Sequence, residues 1–488
     1  MKKNKHTSYL KSIILAVALL SISTFSFSQI LTSSPYSRYG LGELNLQTFA
    51  SPAAMGGSFI AYHQDTIAPF FINSANPAGL AGIRLTTFEL GGQAQFTKIS
   101  SSNTSLNKKN INFSYGSVGF PLKRFGGAAF GIMPYSTVGY KITSTQETDN
   151  IGGTMTYVFQ GNGGINKAFL GAGIKPFRRQ ASKFYNSDLA DTLIKYKQIA
   201  KYKRKKLGKQ LLSEFSIGAT GNYLFGTINQ TTDAIYPGTV TYFNTKRQRS
   251  AQISDFTFNG GLQTHFTIDS IKTKGQRRLL KQKIKVGFGV FVNTPTSISA
   301  KQNYIIYNYA VDGFGIERPK DTVVNSHDNK GTIKLPLEMG FGLSVKKGEK
   351  LTVLMDMATT NWSGYKYFGA TSTNFKNSYR VSAGLNYVPN KLAYGSSNYL
   401  KRVQYRLGVS YSDGYLDLKN TAITNYFVSA GLGLPVGIGR FDDIAVVNIS
   451  AQYGKMGTLS NNLLQEDYVR IVLGFTFNKR WFIKFKYD

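Results

Sequence analysis

The chain has 488 residues, with 58 Lys or Arg against 25 Asp or Glu (formal charge +33), 34 Phe, 30 Tyr, 50 Gly and no Cys. The missing Cys excludes a disulfide framework, thiol chemistry and a lipid anchor of the lipoprotein kind. The positive charge alone would suit nucleic acid, but an exported chain would not meet it routinely, and so many aromatics and glycines fit a membrane barrel better than a helical soluble domain.

In chain order, the first expected element is an export signal over residues 1–28. Lys2, Lys3, Lys5 and Lys11 precede an apolar run from Ile13 to Leu20, and Ser26-Phe27-Ser28 offers small residues for cleavage before Gln29. That run is too short to span a bilayer, and no later stretch is long and apolar enough to form a transmembrane helix. Residues 29–83 do not alternate. They are rich in Ser, Ala, Gly and Pro, yet Phe70-Phe71-Ile72 is too apolar for an idle tail.

From residue 84 the pattern changes to period two. Phe88, Leu90, Gly92, Ala94 and Phe96 share one face, and Phe256, Phe258, Gly260, Leu262 and Phe266 oppose Asn259, Gln263 and His265. The longest case is 333–345, where Ile333, Leu335, Leu337, Met339, Phe341, Leu343 and Val345 alternate with polar, small or Pro residues. Strand side chains point alternately to opposite faces, and thirteen alternating residues exceed the 9–11 or so that a tilted strand needs to cross a bilayer. Pro336 cannot donate to a ladder and should mark a local break. Strands are expected near 84–99, 110–122, 126–143, 154–176, 212–228, 252–268, 283–300, 331–345, 350–365, 377–389, 402–417, 424–438, 443–456 and 466–487. The last closes on Trp481, Ile483, Phe485 and Tyr487.

The expected fold is therefore all-β: a transmembrane barrel of about 14 antiparallel strands over 84–488, sitting in a bacterial outer membrane and contacting its lipids. A ring of that size has a lumen too wide for wall side chains to fill, so 29–83 is the natural hatch or plug. Lys334, Glu338, Asp356, Arg380, Arg406 and Arg470 are expected to face the lumen, with Glu338 and Asp356 a diagonal step apart. They read as an ion-pair ladder holding wall and hatch rather than as an acid/base pair. His63, His265 and His327 fall in hatch, wall and loop, too scattered to predict a metal site, and no cofactor or enzymatic activity is expected.

If the start of the first strand is periplasmic, so is the basic insertion at 178–211. Its stretch 178–209 holds eleven basic and two acidic residues, with Leu189, Leu193, Tyr196 and Ala200 at helical spacing. An amphipathic basic helix there would meet anionic inner-leaflet lipid or an acidic periplasmic protein.

At Asn73-Ser74-Ala75-Asn76-Pro77-Ala78-Gly79-Leu80-Ala81 the chain resembles the FadL/TodX family of outer-membrane channels for hydrophobic compounds, whose leading hatch carries a similar Asn-Pro-Ala. The resemblance continues at Phe130-Gly131-Ile132-Met133-Pro134-Tyr135, at Gly163-Gly164-Ile165-Asn166-Lys167-Ala168, and at Asp356 with Trp362-Ser363. Ser34-Pro35-Tyr36-Ser37-Arg38-Tyr39-Gly40 looks like the opening of family members from Bacteroidetes. It implies a fourteen-stranded barrel with an internal hatch and passive uptake of long-chain fatty acids or aromatic hydrocarbons, with exit sideways through the wall.

On that reading Asn76, Pro77, Ala78 and Pro134 frame a lateral gate, since Pro134 should kink its strand; the plainer reading of Asn76-Pro77-Ala78 is a turn. Phe70, Phe71, Phe130, Met133 and Tyr135 are the candidate cleft for a hydrophobic small-molecule ligand, or else core packing between hatch and wall. Some relatives look like shuttle subunits of the Bacteroidetes type IX secretion system, so a non-transporting docking platform in a secretion or assembly machine is the alternative.

Overall fold

The computed structural model describes residues 34–46, 48–63, 70–122, 125–148, 153–177, 208, 210–237, 242–269, 283–393, 396–437 and 444–479. The expected export signal, most of the basic insertion and the last strand beyond Lys479 lie outside them. Seven staves form the first half of a ring: β1 (Thr86–Ser100), β2 (Ser105–Leu122), β3 (Gly126–Thr148), β4 (Gly153–Ile174), β5 (Ser216–Ile235), β6 (Asn244–Asp269) and β7 (Lys283–Asn293 with Ser297–Val311). The second half is β8 (Glu317–Lys334 with Glu338–Lys347), β9 (Leu351–Thr360), β10 (Ser378–Tyr387), β11 (Gln404–Ser412), β12 (Asn425–Gly437), β13 (Ile444–Gly457) and β14 (Gln465–Lys479). Each pairs antiparallel with its neighbours, and β14 pairs with β1 from Thr86↔Lys479 to Ser100↔Gln465, which closes the barrel. We call the end holding Thr86 and Lys479 the near end.

Alternation explains the wall. On β9, Met355 and Met357 are more than half exposed while Leu354, Asp356 and Ala358 are buried; on β11, Leu407 and Val409 are exposed while Arg406 and Ser410 are buried. The apolar side chains that water would reject form the outer, lipid-facing surface, and the polar ones face in.

The stave containing 333–345 differs from its expected form. It breaks at Leu335-Pro336-Leu337, and its partner β7 breaks alongside at Thr294-Pro295-Thr296, with the Leu335 amide donating to the Thr296 carbonyl at 2.8 Å. Each break centres on a proline, which has no N–H to give a ladder. Across the breaks the facing inverts. Met339 and Phe341 point outward, whereas Ile333 and Leu335, of the same parity, are buried inside with Ile298, Ile253, Leu224, Trp362 and Tyr365. Beyond the breaks both staves run on, β7 to Val311 and β8 as a polar strand from Glu317, where no strand was expected between 301 and 330. His327 consequently lies in a strand rather than a loop.

A second irregularity is the short β2–β3 ladder. It holds only from Gly116↔Ile132 to Leu122↔Gly126, although β2 pairs with β1 along most of its length. Beyond Ile132, β3 turns instead to a two-residue strand of the leading segment, with Glu43 opposite Thr137 and Leu44 opposite Ser136.

Candidate functional site

The described residues of the leading segment, 34–46, 48–63 and 70–83, run along inward-facing wall residues, and what holds them is mostly wall side chains bonding their main chain. A buried irregular backbone needs partners for every N–H and C=O. Asp356 Oδ2 accepts from the amides of Phe59 (2.6 Å) and Ile60 (2.8 Å), and Ser429 Oγ accepts from Gly56 N (2.9 Å). Gln263 Nε2 donates to Ile60 O (2.6 Å), and Gln452 Nε2 donates to Ala53 O (2.9 Å). Asn478 clasps Phe70, accepting from its amide at 2.9 Å and donating to its carbonyl at 3.1 Å. Asn76 works in the other direction: it caps the 3-10 turn Pro77–Gly82 by accepting from Ala78 N, while its Nδ2 faces the carbonyls of Ile60, Leu262 and Val290, each at 3.1 Å.

Inward glycines let this segment lie flat on the wall. A Cβ on Gly408 would stand 2.1 Å from Gly56 N, and one on Gly218 would stand 2.3 Å from the Pro77 carbonyl carbon. The sequence pattern places Gln263 on a polar strand face but does not show that it, Gln452, Ser429, Asn478 and these glycines grip the leading segment. The available signal was that inward glycines recur on strands that also carry one buried polar residue.

The expected ion-pair ladder is replaced by a different arrangement. Glu338 lies opposite Thr360 and Asp356 opposite Gly342, so the two carboxylates are four positions apart, about 13 Å, not a diagonal step. Asp356 holds backbone amides, and Glu338 accepts from Asn293 Nδ2 at 2.6 Å. Arg406 binds Gln404 and Asn448 and sits over the Phe71 ring at 5.6 Å. Lys334 is exposed on the face opposite buried Ile333, outside the lumen set, because of the inversion at Pro336. Of the residues expected in the ladder, Arg470 has an ion pair among the described residues, 3.9 Å from Glu43 of the leading segment, with Gln95 Oε1 at 2.8 Å. Burial pushes the Glu43 carboxyl up, and Arg470 works against it.

The candidate cleft residues are dispersed. Phe130 is 48% exposed on the outer surface, one residue out of phase with buried Ala129, so it faces lipid rather than a cleft. Phe71 packs with Met55, Phe59, Tyr62 and Leu354, and Met133 packs with Phe49, Ile72, Leu80 and Tyr115. Phe70 is buried at the Asn478 clasp. Tyr135 occupies a bulge just after Pro134 and borders an interior cavity of about 350 Å³. Leu44, Asn45, Glu338, Arg380 and Arg470 also line that cavity. Pro134 and Met133 border a smaller cleft beside it, with Asn45, Gln93, Ser114 and Arg470. Pro134 thus sits where the β2–β3 ladder has ended, whereas Asn76, Pro77 and Ala78 lie toward the near end against β5, β6 and β7. The four residues expected to frame one gate fall in two places.

At the near end the structure unites two histidines that the sequence left scattered. The His63 and His265 ring centroids are 3.5 Å apart, and Glu214 Oε2 lies 3.5 Å from His265 Nε2 and 2.5 Å from Lys175 Nζ. Burial first, then His265, Lys175, Lys285 and Lys346, holds the His63 pKa well below the ordinary imidazole value. For Glu214, burial works upward, but Lys175 and His265 outweigh it and hold the carboxyl below its ordinary value.

Comparison with known proteins places this architecture. No curated protein sequence is significantly similar to the chain. Among solved structures, the P. putida toluene transporter TodX is similar at 14% identity and a TM-score of 0.51, covering 90% of this chain and 100% of that one. A Pseudomonas aeruginosa FadL homologue (13% identity, 90% and 100% covered, TM-score 0.47) and the CymD monoaromatic hydrocarbon channel (12%, 93% and 99%, 0.45) are also similar. The TodX likeness is one of fold, the closed fourteen-stranded barrel. The family model described as BamG matches residues 9–181 and 204–488. The protein is thus a bacterial outer-membrane β-barrel, and it belongs to the BamG family.

Proposed function

We propose that the protein is a channel for passive uptake of hydrophobic compounds, with the leading segment as its hatch, the near end periplasmic, and exit sideways through the wall. The observation that carries this reading is the ladder missing between β2 and β3 beyond Gly116↔Ile132, beside Pro134 and next to the 350 Å³ cavity. A wall without main-chain bonds can part without breaking them. The cavity is lined by Lys167, Arg380 and Arg470 against Glu43 and Glu338, and this excess of cations favours long-chain fatty acids, with their carboxylate, over aromatic hydrocarbons of the kind TodX is named for.

The test uses a chain with no cysteine of its own. Leu44 and Ser136 are register partners where the hatch strand pairs with β3 beside the gap, so a Leu44→Cys, Ser136→Cys pair can form a disulfide that fixes the hatch strand to β3. Uptake of radiolabelled oleate by cells lacking other transporters should fall on oxidation and recover on reduction. Equal uptake in both states rules out this exit. A docking platform in a secretion or assembly machine is the second reading, favoured by Lys285, Lys347 and Lys391 at the near end, which suit an acidic periplasmic partner. Unchanged uptake together with a stoichiometric acidic partner from native membranes would select it.

A further inference from the structure

The near-end cluster has a chemistry that neither transport nor docking uses. We propose that His63, His265 and Glu214 form a binding site for a divalent transition metal of the zinc type, which clamps the leading segment to the barrel. Among the described residues they are the one group of three such side chains whose ligand atoms all lie within 4.8 Å of one another. Two imidazoles and a carboxylate are a zinc-type donor set, with a fourth position left for water. Side-chain movements of about 1–2 Å would bring the three atoms to corners of a tetrahedron with metal bonds of about 2.0–2.2 Å.

The three ligands come from separate elements. His63 belongs to the leading segment, His265 to β6, and Glu214 to the turn that precedes β5. Glu214 and His265 flank the end of the β5–β6 ladder at Ser216↔Gln263, so one ion would join the leading segment, through His63, to that pair of staves. Access is built in as well: His265 is buried, but the Glu214 side chain is 39% exposed, so an ion can enter from water.

Lys175 is the competitor. Its ammonium sits on the Glu214 oxygen nearest His265, and an incoming cation must displace it while Lys285 and Lys346 add repulsion. The site should consequently bind metal reversibly rather than trap it. Displacement also gives the proposal a signature that a simple imidazole stack lacks, because removing Lys175 should strengthen binding.

The experiment uses the full chain in detergent, purified without a polyhistidine tag and washed with EDTA. Zn²⁺ is titrated by calorimetry and Co²⁺ by visible absorption. One equivalent is expected to bind, with tetrahedral Co²⁺ bands. His63→Gln and His265→Asn, altering opposite sides of the site, should each weaken binding at least about ten-fold, and Lys175→Met should tighten it. Heat-modifiable gel mobility confirms that each variant keeps its barrel. No saturable binding at one equivalent overturns the proposal. So does wild-type affinity in both histidine variants, and so does unchanged or weaker binding in Lys175→Met.

Discussion

Asp356→Ala is the sharpest probe of how the leading segment is held. In the native protein one buried carboxylate oxygen takes both the Phe59 and the Ile60 amide, at 2.6 and 2.8 Å. Truncation leaves two buried donors without an acceptor, and each orphan costs about 1–3 kcal/mol, so the docked state loses about 2–6 kcal/mol. At about 1.4 kcal/mol per decade, the undocked population should rise at least about 30-fold. The β9 ladders on both sides use main-chain groups only, so the barrel itself should survive. Hydrogen exchange of the full protein in detergent micelles reads this directly: the Phe59 and Ile60 amides should lose protection while β9 and β10 keep theirs. Asp356→Asn, which retains an acceptor oxygen, should restore most of it. Unchanged exchange at Phe59 and Ile60 in Asp356→Ala would refute the reasoning, and so would a loss spread evenly over the barrel.

Two further outcomes follow from the same packing. Gly408→Ala puts a methyl 2.1 Å from Gly56 N, where backbone cannot yield as a side chain can, and should cost about 1–3 kcal/mol of docking. Limited proteolysis within residues 48–63 should increase with heat-modifiable mobility intact; an unchanged digest would show that the segment does not lie flat on β11. Glu214 sets a pH dependence. Its carboxyl is held below the ordinary 4.5, so its contribution to stability is present above that pH and is lost as pH falls through the lower native value. In EDTA-washed protein, the difference in apparent Tm between wild type and Glu214→Gln should be steady from pH 7 to 5 and shrink below about 4. A difference that grows on acidification would contradict the sign.

How much of this was legible in the sequence depends on which face was read. Lipid-facing residues such as Phe256, Phe258, Leu407 and Val409 alternate against polar neighbours, so strand, facing and the count of fourteen staves follow from period two. Period two carries no memory across a break, and Ile333 and Met339 share parity yet face opposite ways around Pro336. It is also silent where both faces meet water, so the polar extension from Glu317 carries no strand signal. Pro134 marked an irregular wall because the proline effect is local. The grip on the leading segment was invisible because its anchors are single polar residues spread from Glu89 to Asn478 that meet only when the ring has closed. His63 and His265 were unreadable as a pair for the same reason.

The clasp of Asn478 on Phe70 has a consequence for the order of folding. Phe70 and Asn478 are 408 residues apart, and Ser34 bonds Glu466 across 432. Both wall partners lie on β14, the last stave to be made and the one that seals against β1. Loop closure over such separations is entropically expensive until the intervening chain has already been drawn together. The leading segment, though synthesised before any of the wall, must therefore be among the last parts to settle. Protection at Phe70 would then serve as a clock for seam closure.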